Sequence, residues 1–214
     1  MRNKQPDGYL AIPSTGSGCA VLVLHAWWGL NDTLKAFCTR LAESGFLVFA
    51  PDLYHGKVTA SKTDAEILSN SLEIDQARAD LADATMFLNE HTGKTESGLA
   101  VIGFSLGAYF ALDLSVTDPE HIHSVVIFYG TGPVDYHSSR AAYLGHFAET
   151  DEFEPQSNID KLESELQRAG RPLKFYRYPG TGHWFFEPDR SEAFNPPAAS
   201  LAWDRTLAFL GRSS

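Results

Sequence analysis

Leu99-Ala100-Val101-Ile102-Gly103-Phe104-Ser105-Leu106-Gly107-Ala108-Tyr109-Phe110 changes character in the middle. The first half has the length and apolar content of a buried strand, and residues 106–116 read as an apolar helix. Between them stands G-x-S-x-G, in the strand–turn–helix setting of a nucleophile elbow. A side chain two residues to either side of Ser105 would collide with backbone in so tight a turn, so both positions are glycine. Ser105 itself is expected in a strained conformation. The turn lifts its hydroxyl above the carboxyl edge of a sheet, at a helix N-terminus.

Working outward, the same alternation repeats. Upstream, Ala20–His25 is a continuous apolar run. It is followed by a helix capped at Asn31 or Asp32, with Leu34, Phe37, Cys38 and Leu41 on one face and Gly45 as the stop. Phe46–Ala50 is the next strand, ended by Pro51, and residues 63–92 read as helical with one break. Downstream, Ser124–Tyr129, Ala142–Ala148 and Lys174–Tyr178 are strands, with helices near 158–169 and 199–211 and an irregular stretch over Glu187–Pro197. Strand–helix alternation predicts a mostly parallel, doubly wound α/β sheet with helices on both faces. Gly8–Pro13 is expected as an antiparallel edge strand. No linker divides the chain, so one domain over residues 1–214 is expected.

A serine hydroxyl needs a base, and behind this kind of elbow the order is serine, acid, histidine. Of eight histidines, only His183 falls late, in the turn Pro179-Gly180-Thr181-Gly182-His183. His25 is expected to shape a loop, His91 to sit at a helix C-terminus, and His121 and His123 to lie in a loop. His55, His137 and His146 are expected at the surface or rim. Asp151 suits the acid, with Glu149, Glu152 and Asp135 as rivals. The oxyanion hole needs two backbone N–H groups, expected from Leu106 and from Trp27 in the loop His25-Ala26-Trp27-Trp28-Gly29-Leu30. Trp28 reads equally as pocket wall or core. Tyr54 and Tyr129 are pocket candidates on the same footing.

The formal charge of −10 argues against nucleic acid and against an anionic membrane surface, since both need clustered Lys and Arg. Hydrophobic residues at 43% and charged residues at 21% are those of a folded domain. No run approaches a membrane span. Residues 1–7 have no apolar segment behind them, and Cys19 and Cys38 read as free buried thiols in a reducing compartment, so a cytoplasmic location is expected. His121-Ile122-His123 lacks companions at metal-ligand spacing, and neither metal nor cofactor is expected. A non-catalytic binding domain, and a thioesterase or peptidase with the same three residues, stay open as alternatives. The sequence does not separate monomer from homodimer.

The chain resembles the dienelactone hydrolase family of α/β hydrolases. The resemblance rests on Gly8-Tyr9-Leu10-Ala11-Ile12-Pro13, Trp27-Trp28-Gly29-Leu30-Asn31, Ala50-Pro51-Asp52-Leu53-Tyr54, Gly103-Phe104-Ser105-Leu106-Gly107, Tyr129-Gly130, Asp151 and Gly182-His183. It implies a compact sheet without a large cap, and cleavage of a small ester or enol-lactone through an acyl-enzyme. Two departures stand out. The family's type enzymes use cysteine where this chain has Ser105, with a glutamate where it has Ala26. A thiol ionises near ~8.5 and can be managed by a nearby carboxylate, whereas a hydroxyl depends on a His–Asp pair. Dienelactone-specific members also carry a substrate-binding arginine four residues past the histidine, where this chain has Glu187. With Glu149 and Glu152, Glu187 is expected to put negative charge at the mouth of the site and to favour neutral esters.

Overall fold

The computed structural model describes residues 5–92, 98–132 and 135–211. The extreme N-terminus, residues 1–4 of the stretch read for a signal, lies outside the described residues. Among the described residues, seven strands form one sheet: β1 (Gly8–Ala11), β2 (Ala20–Leu24), β3 (Leu47–Pro51), β4 (Leu99–Phe104), β5 (Ile122–Phe128), β6 (Ala142–Ala148) and β7 (Leu173–Tyr178). Their spatial order is β1-β3-β2-β4-β5-β6-β7. β1 pairs antiparallel with β3, and every other pairing is parallel. The edge strand expected at Gly8 is therefore present.

The described residues also form six helices that cover the sheet: α1 (Asp32–Glu43), α2 (Lys62–Asn70), α3 (Ile74–Thr92), α4 (Leu106–Thr117), α5 (Gln156–Arg168) and α6 (Pro196–Leu210). Alternate strand residues point to opposite faces, so each interior strand feeds two cores. Val21 and Val23 of β2, Ile102 of β4 and Val126 of β5 pack beneath α1 and α6, against Phe37, Leu41 and Trp203. Leu22 and Leu24, Val101, and Val125 and Ile127 pack beneath α3, α4 and α5, against Leu81, Phe110 and Leu162. Strands covered on both faces have to be apolar throughout, which is why β2 and β3 are buried along their whole length.

Element boundaries depart from expectation in places. The helical stretch 63–92 is two helices, α2 and α3, parted over residues 71–73. β5 starts at Ile122, so His123 lies in a strand and not in a loop. α6 starts at Pro196: Asn195 caps it by accepting from the Ala198 amide at 3.1 Å, and the two prolines form its first turn. Proline's fixed φ and missing N–H suit that position. Asn31 is the cap of α1, accepting from the Leu34 amide at 3.0 Å, and Gly45 follows that helix with φ +97°. Cys38 is buried, but Cys19 is only half-buried, because it lies just before β2 begins. Among the described residues, no helix is long and apolar enough to cross a membrane.

Candidate active site

β2 is flanked by β3 on one side and β4 on the other, so the sheet's winding reverses at β2. In doubly wound sheets a crevice opens at the carboxyl ends of the strands beside such a reversal. Leu24 of β2 is in register with Gly103 of β4. The loop after β2 and the turn after β4 therefore leave the sheet side by side.

Ser105 occupies that turn with φ 50° and ψ −111°, a conformation L residues rarely adopt. Neighbouring backbone enforces it. A Cβ at Gly103 would stand 2.2 Å from the Gly107 carbonyl oxygen, and one at Gly107 would stand 2.2 Å from that of Leu24. The Ser105 amide donates to the Phe128 carbonyl at 2.9 Å, tying the turn to the end of β5. The strain expected from the sequence is thus observed.

Asp151 lies just past β6, and His183 in the loop between β7 and α6. The Ser105 hydroxyl is 3.0 Å from His183 Nε2, and His183 Nδ1 is 2.7 Å from Asp151 Oδ2. The other carboxylate oxygen of Asp151 accepts from the Phe153 and Glu154 amides, each at 2.9 Å. The carboxylate is an acceptor only, so Nδ1 carries the ring proton and Nε2 is left to accept from the serine. The Asp151 and His183 side chains are each 5% exposed, so water competes little for these bonds. The Thr150 amide donates to the Thr181 carbonyl at 3.2 Å, joining the two loops. The rival acids are otherwise engaged. Glu149 accepts from the Gly180 amide at 2.9 Å, Asp135 pairs with His137 at the surface, and Glu152 is exposed.

The Leu106 amide opens α4, where the first N–H groups of a helix have no carbonyl of their own to bond. Trp27 lies in the turn after β2, closed by the Gly29 amide on the Ala26 carbonyl. His25 fixes this loop: its Nδ1 lies 2.7 Å from the Ala26 carbonyl, and its Nε2 accepts from the Leu53 amide at 3.2 Å. Burial pushes its pKa down, so the ring is neutral and shapes the loop, as expected.

A cleft of about 720 Å³ opens on His183, lined by Trp28, Lys62, Phe153, Trp184 and Arg190 among others. Trp28 is both cleft wall and core. It is buried, in edge contact with Trp27 at 5.3 Å between ring centroids, and covered by the Arg190 guanidinium at 4.2 Å. Trp184 and Phe153 were not singled out from the sequence, although each adjoins a site residue, one after His183 and two after Asp151. Lys62 sits over the Trp184 ring at 5.0 Å; its place at the start of α2 left no local signal.

Three expectations need correction. Tyr54 does not line the cleft: it is buried against His25, ring centroids 4.9 Å apart. Tyr129 is buried behind His183 and not exposed to the cleft. Glu187 is not at the mouth. It turns inward, accepts from the Tyr129 hydroxyl at 2.6 Å, and borders a separate apolar pocket of about 300 Å³ with Phe37, Phe104 and Phe186. Burial pushes its carboxyl up to about 8, so it is neutral at pH 7 and adds no charge to the site. The cleft is still lined by more acidic than basic side chains, Glu149, Glu152, Asp189 and Glu192 against Lys62 and Arg190, so the negative charge expected at its mouth is present but does not come from Glu187.

His146 also departs from its expected rim position. It faces α6 from the interior strand β6, with Nδ1 2.7 Å from the Tyr178 hydroxyl and Nε2 3.0 Å from the Thr206 hydroxyl. Burial pushes its pKa down to about 3.

A mostly parallel sheet covered on both faces, with a serine presented on a strained strand–helix turn, is the α/β-hydrolase fold. Residues 7–214 match the sequence model of the dienelactone hydrolase family, and the chain belongs to that family of carboxylic ester hydrolases. It is 31% identical to Protein usf of Aquifex pyrophilus, over 94% of this chain and 91% of that protein. It is 28% identical to the carboxymethylenebutenolidase of Rhodococcus opacus, over 97% and 86% respectively. Among solved structures, a candidate dienelactone hydrolase from Klebsiella pneumoniae superposes with a TM-score of 0.84 at 23% identity, covering 95% of this chain and 92% of that one. That likeness carries the fold.

Proposed function

We propose that this chain is a single-domain serine hydrolase that cleaves a small carboxylic ester or lactone through an acyl-enzyme, with Ser105 as nucleophile, His183 as base and Asp151 as orienting acid. The observation that carries this is the unbroken hydrogen-bond chain from Ser105 through His183 to Asp151, with the last two buried. As Ser105 Oγ attacks the carbonyl carbon, His183 Nε2 takes its proton, and the charge that develops on the carbonyl oxygen meets the Leu106 and Trp27 amides. Collapse breaks the bond to the alcohol oxygen, which receives the proton from His183. Water then attacks the acyl-serine by the same route, giving the acid and free Ser105. Every proton is carried by His183, so the sequence needs neither metal nor cofactor.

The lactone part of the reading is supported by a relative of this chain, the carboxymethylenebutenolidase of Rhodococcus opacus. Free Cys19 and Cys38 support a cytoplasmic setting, and we place the chain there as a monomer or homodimer acting on a soluble substrate.

The test is hydrolysis of 4-nitrophenyl acetate and a panel of lactones by the wild type and by Ser105→Ala. Loss of the serine is expected to lower kcat by about 10⁶-fold. A serine-directed phosphonate should label the wild type at Ser105 and leave the variant unlabelled. Wild-type turnover by the variant would overturn the assignment. Absence of both turnover and labelling in the wild type would favour a binding domain.

A further inference from the structure

Behind the imidazole, two groups that this reaction does not use are bonded to each other in the interior. Tyr129, the residue after β5, is completely buried and donates its hydroxyl to Glu187 Oε1 at 2.6 Å. Its ring centroid lies 4.9 Å from that of His183. Tyr129 has φ 38°, an unfavourable conformation for a bulky residue that persists only where the surroundings over-determine it. Its amide donates to the His146 carbonyl at 2.8 Å, and the next residue, Gly130, has no room for a side chain, since a Cβ there would stand 2.6 Å from the Ser105 carbonyl oxygen. One two-residue turn therefore presses on the backbone of Ser105 and on the ring of His183.

Glu187 is fixed in its own turn, where its amide donates to the Trp184 carbonyl at 2.9 Å and its carbonyl accepts from the Arg190 amide at 3.0 Å.

We infer that the buried Tyr129–Glu187 hydrogen bond is a positioning clamp, which seats the Tyr129 ring against His183 and so holds Nε2 in line with the Ser105 hydroxyl. The inference rests on the reading of Ser105 and His183 as nucleophile and base. Both clamp residues act through His183 and are positioning residues. The clamp needs an acceptor at 187, because a tyrosine hydroxyl that donates has to meet a lone pair, and a guanidinium offers none. An arginine at this position could not make this bond.

Several charged or titratable groups face the pair. Asp189 and Arg190 come from the same turn as Glu187, Arg40 of α1 lies on the apolar pocket that Glu187 borders, and Asp151 and His183 lie beyond Tyr129. Burial keeps Glu187 protonated at pH 7, so its carbonyl-type oxygen is the acceptor. An uncharged amide reproduces that role.

The test is kcat and KM for 4-nitrophenyl acetate with the wild type, Ser105→Ala, Tyr129→Phe, Glu187→Leu, Glu187→Gln and the double variant Tyr129→Phe/Glu187→Leu. Tyr129→Phe is expected to lower kcat by about tenfold or more, with KM within about twofold, as misorientation of a reacting group does. Glu187→Leu should match it, and the double variant should be no slower than either single, since all three delete one bond. Glu187→Gln should recover kcat to within about threefold of the wild type. Tyr129→Phe with wild-type kcat, or Glu187→Gln as slow as Glu187→Leu, would overturn the clamp. If Glu187→Leu does not fold, Tyr129→Phe, which removes one oxygen, decides by itself. If Ser105→Ala stays active, the reading of the site fails and the clamp fails with it. If Ser105→Ala is dead and Tyr129→Phe is unaffected, only the clamp fails.

Discussion

Asp151 is the residue whose removal separates geometry from chemistry most cleanly. One of its oxygens holds the Phe153 and Glu154 amides and the other faces His183 Nδ1. Asn at this position can keep the first pair of bonds and offer an amide N–H to Nδ1, which forces the ring proton onto Nε2 and removes the acceptor for Ser105. Asp151→Asn is expected to lower kcat by about 10⁴-fold, with a circular dichroism spectrum and melting temperature close to those of the wild type. A fall of tenfold or less would show that Asp151 does not set the tautomer. At this scale the sequence was legible where chemistry constrains order. Ser105, Asp151 and His183 follow a chain order that a strand–helix fold brings together, and the structure joins them by hydrogen bonds. It was silent on side-chain direction. Nothing local says that Glu187 turns inward to Tyr129, and a charged residue near a proposed site reads by default as solvated. For His146 the strand period does carry a signal: in β6 it shares a face with Leu144 and Ala148, which pack under α6.

The elbow is where one element is pressed onto another, and its glycines are the sharpest probe of that contact. Gly107 opens α4 against the end of β2, with the Leu24 carbonyl oxygen 2.2 Å from where a Cβ would stand. Backbone cannot rotate away as a side chain can. Gly107→Ala is expected to destabilise the fold by about 3 kcal/mol and to abolish activity, because relief requires α4 to move and Ser105 with it. Chemical denaturation together with ester turnover checks both; an alanine variant of near wild-type stability and rate would show that the contact is loose. Asn31→Ala, by contrast, removes the cap bond of α1 to the Leu34 amide and an exposed bond from Nδ2 to Asp189 Oδ2 at 3.2 Å; it should cost about 1 kcal/mol with little effect on kcat. Element type was readable throughout, because strands buried on both faces have to be apolar and amphipathic helices have to repeat. Ends were less so. Pro196 and Pro197 read as loop in the sequence because proline breaks helix interiors, yet at the first turn it is favoured, and only the Asn195 cap distinguishes the two.

For the whole molecule, three buried titratable side chains predict how stability depends on pH. His146 and His25 are neutral inside the fold, with pKa values pushed below the ordinary 6.5 by burial. The unfolded chain therefore binds protons more tightly at these two sites. Their contribution is fully present above pH 6.5 and is lost as pH falls, for His146 down to about 3. Glu187 has the opposite sign. Its carboxyl is raised from 4.5 to about 8, so the folded state holds the proton more tightly. Stability is fully present below pH 4.5 and is lost as pH rises towards 8. Each titration is worth about 1.4 kcal/mol per pH unit. Between pH 4.5 and 6.5 His146 and Glu187 nearly cancel, and His25 tips the balance towards greater stability at higher pH. Above 6.5 Glu187 acts alone. The three groups together therefore place a stability maximum near pH 6.5, with a loss of about 2 kcal/mol by pH 8. Urea unfolding at intervals from pH 4 to 8.5 measures the curve. Glu187→Gln, which has no proton to lose, is expected to flatten the alkaline side. His146→Gln should flatten the acid side below pH 4.5, where its loss is otherwise unopposed. If Glu187→Gln and the wild type decline in parallel between pH 6.5 and 8, the carboxyl is not the protonated, buried group that the Tyr129 contact describes.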